Sequence, residues 1–361
     1  MTAEAHGTRL PLPLTLDEAT PEWLTYALSE RFPGVVVAGV TREAERAGTS
    51  TSAQLNLEYR SRGDRGDAPD TVYIKGGFDA VMRRRVWLGL IQEARFFAEW
   101  APEMPVNIPR CYFAGWDVHA KQGVVLLEDM APRNVHFGYA TDVLSVDDVA
   151  KIIEGQAKYH AKFWADPRLK DYKVWAEPQR AFLRYLMRDK MWDEVEGRPY
   201  APLLNQLFSS REQARACSQR LWDINDSKTP TLVHGDCHSG NLFYEADGSP
   251  GFLDWQCVFA SVPGHDHNEM LCTTLTVEDR RKSERDLIRH YRDELVANGL
   301  KDAPSADELF FSYRQNIMHV VNSGVWNPYD MQVALVTDQS AWRSLTAALD
   351  LDVVGALYAD N

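Results

Sequence analysis

The stretch His234-Gly235-Asp236-Cys237-His238-Ser239-Gly240-Asn241, followed across a short hairpin by Leu253-Asp254-Trp255-Gln256, decides how this chain reads. It sets two carboxylates and one amide at strand edges or in loops, with Asn241 five and Asp254 eighteen positions after Asp236. These residue types meet the needs of phosphoryl transfer. One carboxylate can orient an attacking hydroxyl and take its proton, while an Asn and an Asp offer the hard oxygens that magnesium prefers. The hairpin itself is expected as strands 242–244 and 251–254 around a turn at Asp247 and Gly248.

Outward from this stretch the pattern is mostly helical. Ser145 and Asp148 form a capping pair ahead of Val149, Ile152, Gln156, Tyr159 and Phe163, which predicts a helix. Further helices are expected at about 178–190, 201–225 and 278–298, and another from Ser305 with Glu308 as its capping partner. Before Glu128 the period changes. Thr20-Pro21-Glu22 opens a short helix, and then Val35 to Val40 and the alternation of Ala53, Leu55, Leu57 and Tyr59 read as strands. A solvated loop from Ser61 to Asp70 delivers a third strand, 71–75, with Val72 and Ile74 on one face and Tyr73 and Lys75 on the other. A helix from about Arg84 to Trp100 and strands at 111–116 and 123–127 complete this half. The domains are therefore expected as 1–128 and 129–361.

Composition narrows the function classes. At 361 residues, with 45% hydrophobic and 25% charged residues, the chain is an ordinary globular protein. A net charge of -13 argues against nucleic acid or an anionic membrane as partner. The five cysteines are scattered, form no C-x-x-C pair and fit reduced thiols. No apolar run reaches the roughly 18 residues that a membrane span needs, so a cytoplasmic location is expected.

H-G-D-x-H-x-x-N followed by a D-W pair resembles the catalytic loop and metal site of the aminoglycoside phosphotransferase and choline kinase superfamily. The resemblance implies an α+β, bilobal, protein-kinase-like fold, with an antiparallel sheet and one main helix in the first lobe and a larger, mainly helical second lobe. It implies Asp236 as catalytic base and Asn241 and Asp254 as ligands of Mg2+ or Mn2+. Gly48, Thr49, Ser50, Thr51 and Ser52 sit where that superfamily has its nucleotide-covering loop. Lys75 matches its phosphate-contacting lysine, and Glu93, on the following helix, that lysine's ion-pair partner. Glu128, Asp129 and Met130 resemble the hinge whose backbone holds the nucleotide base. The run Tyr159-His160-Ala161-Lys162-Phe163-Trp164 is similar to the ecdysteroid kinase-like branch, with His160 read as a packing residue.

Departures separate the chain from protein kinases. No Arg precedes Asp236, Trp255 and Gln256 stand where those enzymes have Phe and Gly, and no A-P-E follows. Asp266, with a His on each side, is read as structural support, and Arg83-Arg84-Arg85 as a solvated face. The expected activity is ATP- or GTP-dependent phosphorylation of a hydroxyl on a small molecule: an antibiotic, an amino alcohol or a hydroxylated apolar metabolite. Trp175, Trp192, Trp222, Trp326, Tyr329 and Trp342 are the aromatic candidates for its pocket. Two other readings compete. A nucleotide-binding module without catalysis would require a missing site residue, and a zinc hydrolase would use His234, Asp236, Cys237 and His238.

Overall fold

The computed structural model describes residues 10–173 and 176–359. The chain forms two compact units, Met1–Val135 together with Phe252–Val258, and His136–Gly251 together with Phe259–Asn361. The first unit therefore runs past Glu128 to Val135, and it takes in the segment that carries Asp254.

The first unit contains α1 (Pro21–Ser29), β1 (Val37–Ala47), β2 (Thr51–Tyr59), α2 (Arg62–Arg65), β3 (Thr71–Gly76), α3 (Ala80–Glu99), β4 (Cys111–Asp117) and β5 (Gln122–Glu128). The strands make one antiparallel sheet in the order β1-β2-β3-β5-β4. Its alternation is the one read from the sequence. Ala53, Leu55, Leu57, Val72 and Ile74 point into a core shared with Leu24 and Leu28 of α1, while Lys75 faces the other way. Asp79 caps α3 by accepting from the amides of Val81 and Met82, so the helix starts earlier than its apolar stripe suggested. The loop expected from Ser61 to Asp70 holds the single turn of α2, capped by Ser61.

The second unit is mainly helical, with three short strand pairings. It comprises β6 (His136–Phe137), α4 (Val146–Lys162), α5 (Leu169–Tyr172), α6 (Ala176–Leu186), α7 (Asp189–Val195), α8 (Ala201–Leu207), α9 (Arg211–Asp226), β7 (Thr231–Val233), β8 (Leu242–Tyr244), β9 (Pro250–Phe252) and β10 (Phe259–Ser261). Beyond them lie α10 (Gly264–Thr274), α11 (Val277–Ala297), α12 (Ala306–Val325), α13 (Ala334–Asp350) and α14 (Val353–Tyr358). The helix expected over 201–225 is two helices, because the Ser210 hydroxyl accepts from the Gln213 amide and starts α9 afresh. Similarly, 178–190 divides into α6 and the start of α7. The Ser145 cap and the Ser305–Glu308 capping box form as read. Apart from the five-stranded sheet of the first unit, β7 pairs with β10, and β6, β8 and β9 form a separate sheet.

Candidate active site

In the first unit, the period-two face of β3 sets Lys75 opposite Ser52 of β2 and Val125 of β5. Its ammonium donates to Glu93 Oε1 at 2.7 Å and to Asp254 Oδ1 at 2.8 Å. The Glu93 side chain is 4% exposed and that of Lys75 14%, so water competes weakly for either. Burial alone would lower the Lys75 pKa, but the charges of Asp254 and Glu93 and their hydrogen bonds raise it, and the ammonium stays charged. Burial pushes Glu93 above the usual carboxylate range, with Asp254 adding to the shift and Lys75 opposing it.

Helix α3 holds more than Glu93. One and three positions to either side, Gln92 and Phe96 grip the same returning segment. Gln92 Nε2 donates to the Val258 carbonyl at 2.7 Å, and the Phe96 ring stacks on Trp255 with centroids 4.0 Å apart. One turn earlier a Cβ on Gly89 would meet the Gln256 carbonyl at 3.2 Å, so the absence of a side chain there lets the segment approach. Asp254 was expected at the end of a strand. It instead takes the left-handed conformation, φ 58°, just before the turn Trp255–Cys257, because β9 ends at Phe252. Aspartate tolerates that region better than most residues.

The Ser/Thr segment is less tightly held. Gly48 and Thr49 are exposed, Ser50 is half-buried, and Thr51 and Ser52 already belong to β2. Gln256 Nε2 donates to Thr49 Oγ1 at 3.4 Å. At the end of β5, Glu128 accepts from the Arg110 amide and pairs with Arg133, and its own amide donates to the Arg110 carbonyl. Asp129 accepts from Gln54 Nε2 at 2.9 Å, and Met130 is buried.

In the second unit, β7 ends at Val233 and the loop begins. The amides of His234 and Gly235 donate to the two oxygens of Asp266 at 2.7 and 2.9 Å, and Gly235 takes φ 85°, which favours glycine. Asp266 also accepts from the Tyr159 hydroxyl at 2.7 Å and His160 Nε2 at 3.2 Å. Burial opposes its charge, but its hydrogen bonds, that of His160 foremost, hold the carboxyl well below the usual range. His160 is fully buried, and its Nδ1 meets the Tyr291 hydroxyl at 2.8 Å, so its role is to tie α4 to the loop's anchor.

Past Gly235, Asp236 is partly exposed. Asn241 Nδ2 donates to its carbonyl at 2.8 Å and lies 3.3 Å from its Oδ2, which closes the loop on itself. With the nitrogen turned to Asp236, the Asn241 Oδ1 lies on the other fork of the amide, the orientation that a hard cation requires. Asn241 and Asp254 thus carry donors that suit magnesium. His238 lies with Nε2 4.0 Å from Asp236 Oδ2. The zinc reading loses its thiolate, because Cys237 is buried, accepts from Gln156 Nε2 at 3.0 Å and has its pKa pushed well up by burial. Among the described residues no three His, Cys, Asp or Glu side chains converge as a metal cluster would.

Two residues here escaped the sequence reading. Gln156 was assigned only to a helix stripe, and Glu269 on α10 was not singled out. Glu269 lies buried, and burial, with the charges of Asp236 and Asp266 adding to it, pushes its pKa above the usual carboxylate range. Of the aromatic candidates, Trp192, Trp222 and Trp326 are buried, Tyr329 and Trp342 are exposed, and Trp175 lies outside the described residues.

Residues 172–303 match the ecdysteroid kinase-like family. That span contains Asp236, Asn241, Asp254 and Asp266. Solved structures similar to the chain include a choline kinase from Streptococcus pneumoniae, at 14% identity, covering 90% of this chain and 98% of that one with a TM-score of 0.47. Another is an aminoglycoside phosphotransferase from Alicyclobacillus acidocaldarius, at 13% identity, 96% and 97% coverage and a TM-score of 0.44. A macrolide 2'-phosphotransferase from Brachybacterium faecium is 15% identical over 95% and 99% of the two chains, with a TM-score of 0.41. No curated protein sequence matches the chain.

Proposed function

We propose that this protein is an ATP- or GTP-dependent phosphotransferase acting on a hydroxyl of a small molecule. The observation that carries the reading is Lys75, charged and held between Glu93 and Asp254, residues far apart in sequence that the chemistry assigns to one task. An ammonium fixed by two carboxylates is a preorganised partner for phosphate oxygens. The Thr49 segment would cover the nucleotide, with the backbone of Glu128 to Met130 against its base. Asn241 and Asp254 would hold Mg2+ or Mn2+. When bound, the metal neutralises charge building on the phosphate oxygens.

Asp236 orients the acceptor hydroxyl. As the acceptor oxygen bonds to the terminal phosphorus, the bond from phosphorus to the leaving nucleotide diphosphate breaks, and the hydroxyl proton passes to Asp236. A carboxylate is far too weak a base to strip an alcohol in advance, so the transfer comes late and position is what matters. A cytoplasmic setting supplies the nucleotide and keeps the five free cysteines reduced. Among the described residues no helix is long and apolar enough to cross a membrane.

The test is a screen of hydroxylated metabolites and antibiotics with Mg-ATP and Mg-GTP, read as a mass gain of one phosphate. Lys75→Ala should lose turnover by orders of magnitude with its thermal unfolding profile intact. Full turnover by that variant would place the nucleotide elsewhere.

A further inference from the structure

Helix α10 presents two carboxyl groups to the Asp236 loop, and only one of them has an evident task. Asp266 and Glu269 stand three positions apart, so they share a face of the helix, and they are 0% and 5% exposed. Asp266 takes the His234 and Gly235 amides at 2.7 and 2.9 Å. Glu269 takes the next amide but one, that of Cys237, which donates to its carboxylate.

The consequence falls on the residue in between. The Asp236 amide lies 3.3 Å from His234 Nδ1, the Asp236 carbonyl accepts from Asn241 Nδ2 at 2.8 Å, and the N–H at the far end of that same peptide unit is the one Glu269 holds. A peptide unit is planar, so gripping it by its oxygen and by its hydrogen fixes its plane. With the planes on either side of the Asp236 Cα held, its Cβ has one direction left, and that direction aims the carboxylate. The Cys237 side chain adds a further grip by accepting from Gln156 Nε2 at 3.0 Å. Glu269 uses only part of its capacity here, since its Oε2 is buried with no hydrogen-bond partner among the described residues. Burial, with the charges of Asp236 and Asp266 adding to it, opposes its ionisation. What the loop draws from Glu269 is an acceptor oxygen and not a charge.

We propose that Glu269 is a positioning residue for Asp236, holding the Cys237 amide so that the carboxylate one residue back keeps its aim. This rests on the phosphotransferase reading, in which Asp236 orients the acceptor hydroxyl and receives its proton. Because an acceptor oxygen is all that is needed, an amide side chain serves in place of the carboxyl. An apolar side chain of similar length does not, although it rids the interior of an unpaired oxygen whose burial is costly. Turnover and stability therefore part company at this position, as they would not if Glu269 merely filled space.

The experiment compares the full chain with Glu269→Gln and Glu269→Met, each labelled with 15N-cysteine. The five cysteines give five backbone amide signals by NMR, and Cys237→Ala identifies the one in question. Phosphate released from Mg-ATP, with water as the acceptor, reads turnover. In Glu269→Met the Cys237 amide should exchange its hydrogen at least roughly 10-fold faster, and turnover should fall roughly 10- to 100-fold. Its Mg-ATP Kd should stay within a few-fold and its unfolding midpoint should hold or rise. Glu269→Gln should keep slow exchange and turnover within a few-fold of the parent. Glu269→Asp, which draws the carboxyl back by one methylene, repeats the test should the Met variant not fold. The proposal is overturned if Glu269→Met leaves exchange and turnover unchanged, if Glu269→Gln loses as much as Glu269→Met, or if turnover falls only in step with stability. A parent chain that binds neither Mg-ATP nor Mg-GTP would sink the phosphotransferase reading instead, and the exchange data would still decide whether Glu269 holds the loop.

Discussion

The turn at Gly48 to Ser50 and the loop from His234 to Asn241 both have catalytic roles in the function proposed above, yet they are built in opposite ways. The first is largely exposed and meets Gln256 only through long hydrogen bonds of 3.4 and 3.5 Å at Thr49 Oγ1. The second is fixed at both ends: two amides bind Asp266, Asn241 folds back on the Asp236 carbonyl, and Ser239 Oγ donates to the Tyr139 carbonyl at 2.7 Å. A segment proposed to open for a nucleotide and close over it would gain nothing from rigidity. A carboxylate whose worth is its position loses by mobility.

If that contrast is right, substitutions in the two regions should differ in kind. The largest effect belongs to Asp236→Asn, which keeps shape and most hydrogen bonding but removes proton acceptance. kcat should fall by roughly 10² to 10⁴ while nucleotide Kd stays within a few-fold; unchanged turnover would remove Asp236 from the mechanism. Next comes Asp266→Asn, which replaces a buried charge receiving four hydrogen bonds. A loss of roughly 3 to 5 kcal/mol in chemical denaturation is expected, and a near-neutral result would mean that the loop holds itself.

A third effect follows from α10. Burial lowers His265 to about 4 and His267 to about 3 from the ordinary 6.5, so the unfolded chain binds more protons than the folded one between those values and 6.5. Stability is therefore full above pH 6.5 and falls as the solution is acidified through that window, by roughly 3 kcal/mol at most for His265. His265→Gln should flatten the dependence of the unfolding midpoint on pH between 4 and 6.5; an unchanged slope would mean that the imidazole is solvated. Smallest is Thr49→Ala, which should alter nucleotide KM by no more than roughly threefold, since an exposed, long hydrogen bond contributes under about 1 kcal/mol. A large loss there would erase the contrast.

Much of this could be read from residue order alone, and the omissions have physical causes. Lys75 and Glu93 were legible through the resemblance, which places a lysine on the third strand and its acidic partner on the next helix; residue type alone would have left both on the surface. Strands β7 and β10 went unseen, since three residues each are too few for alternation to show. Helix α10 was missed for a different reason. It is buried on every side, so it has no polar face to set a period, and its Gly-His-Asp-His-Asn-Glu start reads as a loop. The break between α8 and α9 hid behind continuous helical propensity until Ser210 was seen capping.

The anchoring of the loop by Asp266 also bears on how the chain reaches its native state. The carboxylate gathers Tyr159 and His160 across separations of 107 and 106 residues, and the two loop amides across 32 and 31. Helices α4 and α10 can each form locally within microseconds, but this junction exists only after α4, β7 and α10 have met, and such long closures come slowly. On dilution from denaturant, recovery of helical ellipticity should therefore run ahead of recovery of turnover, with the Asp236 loop among the last parts of the molecule to become competent.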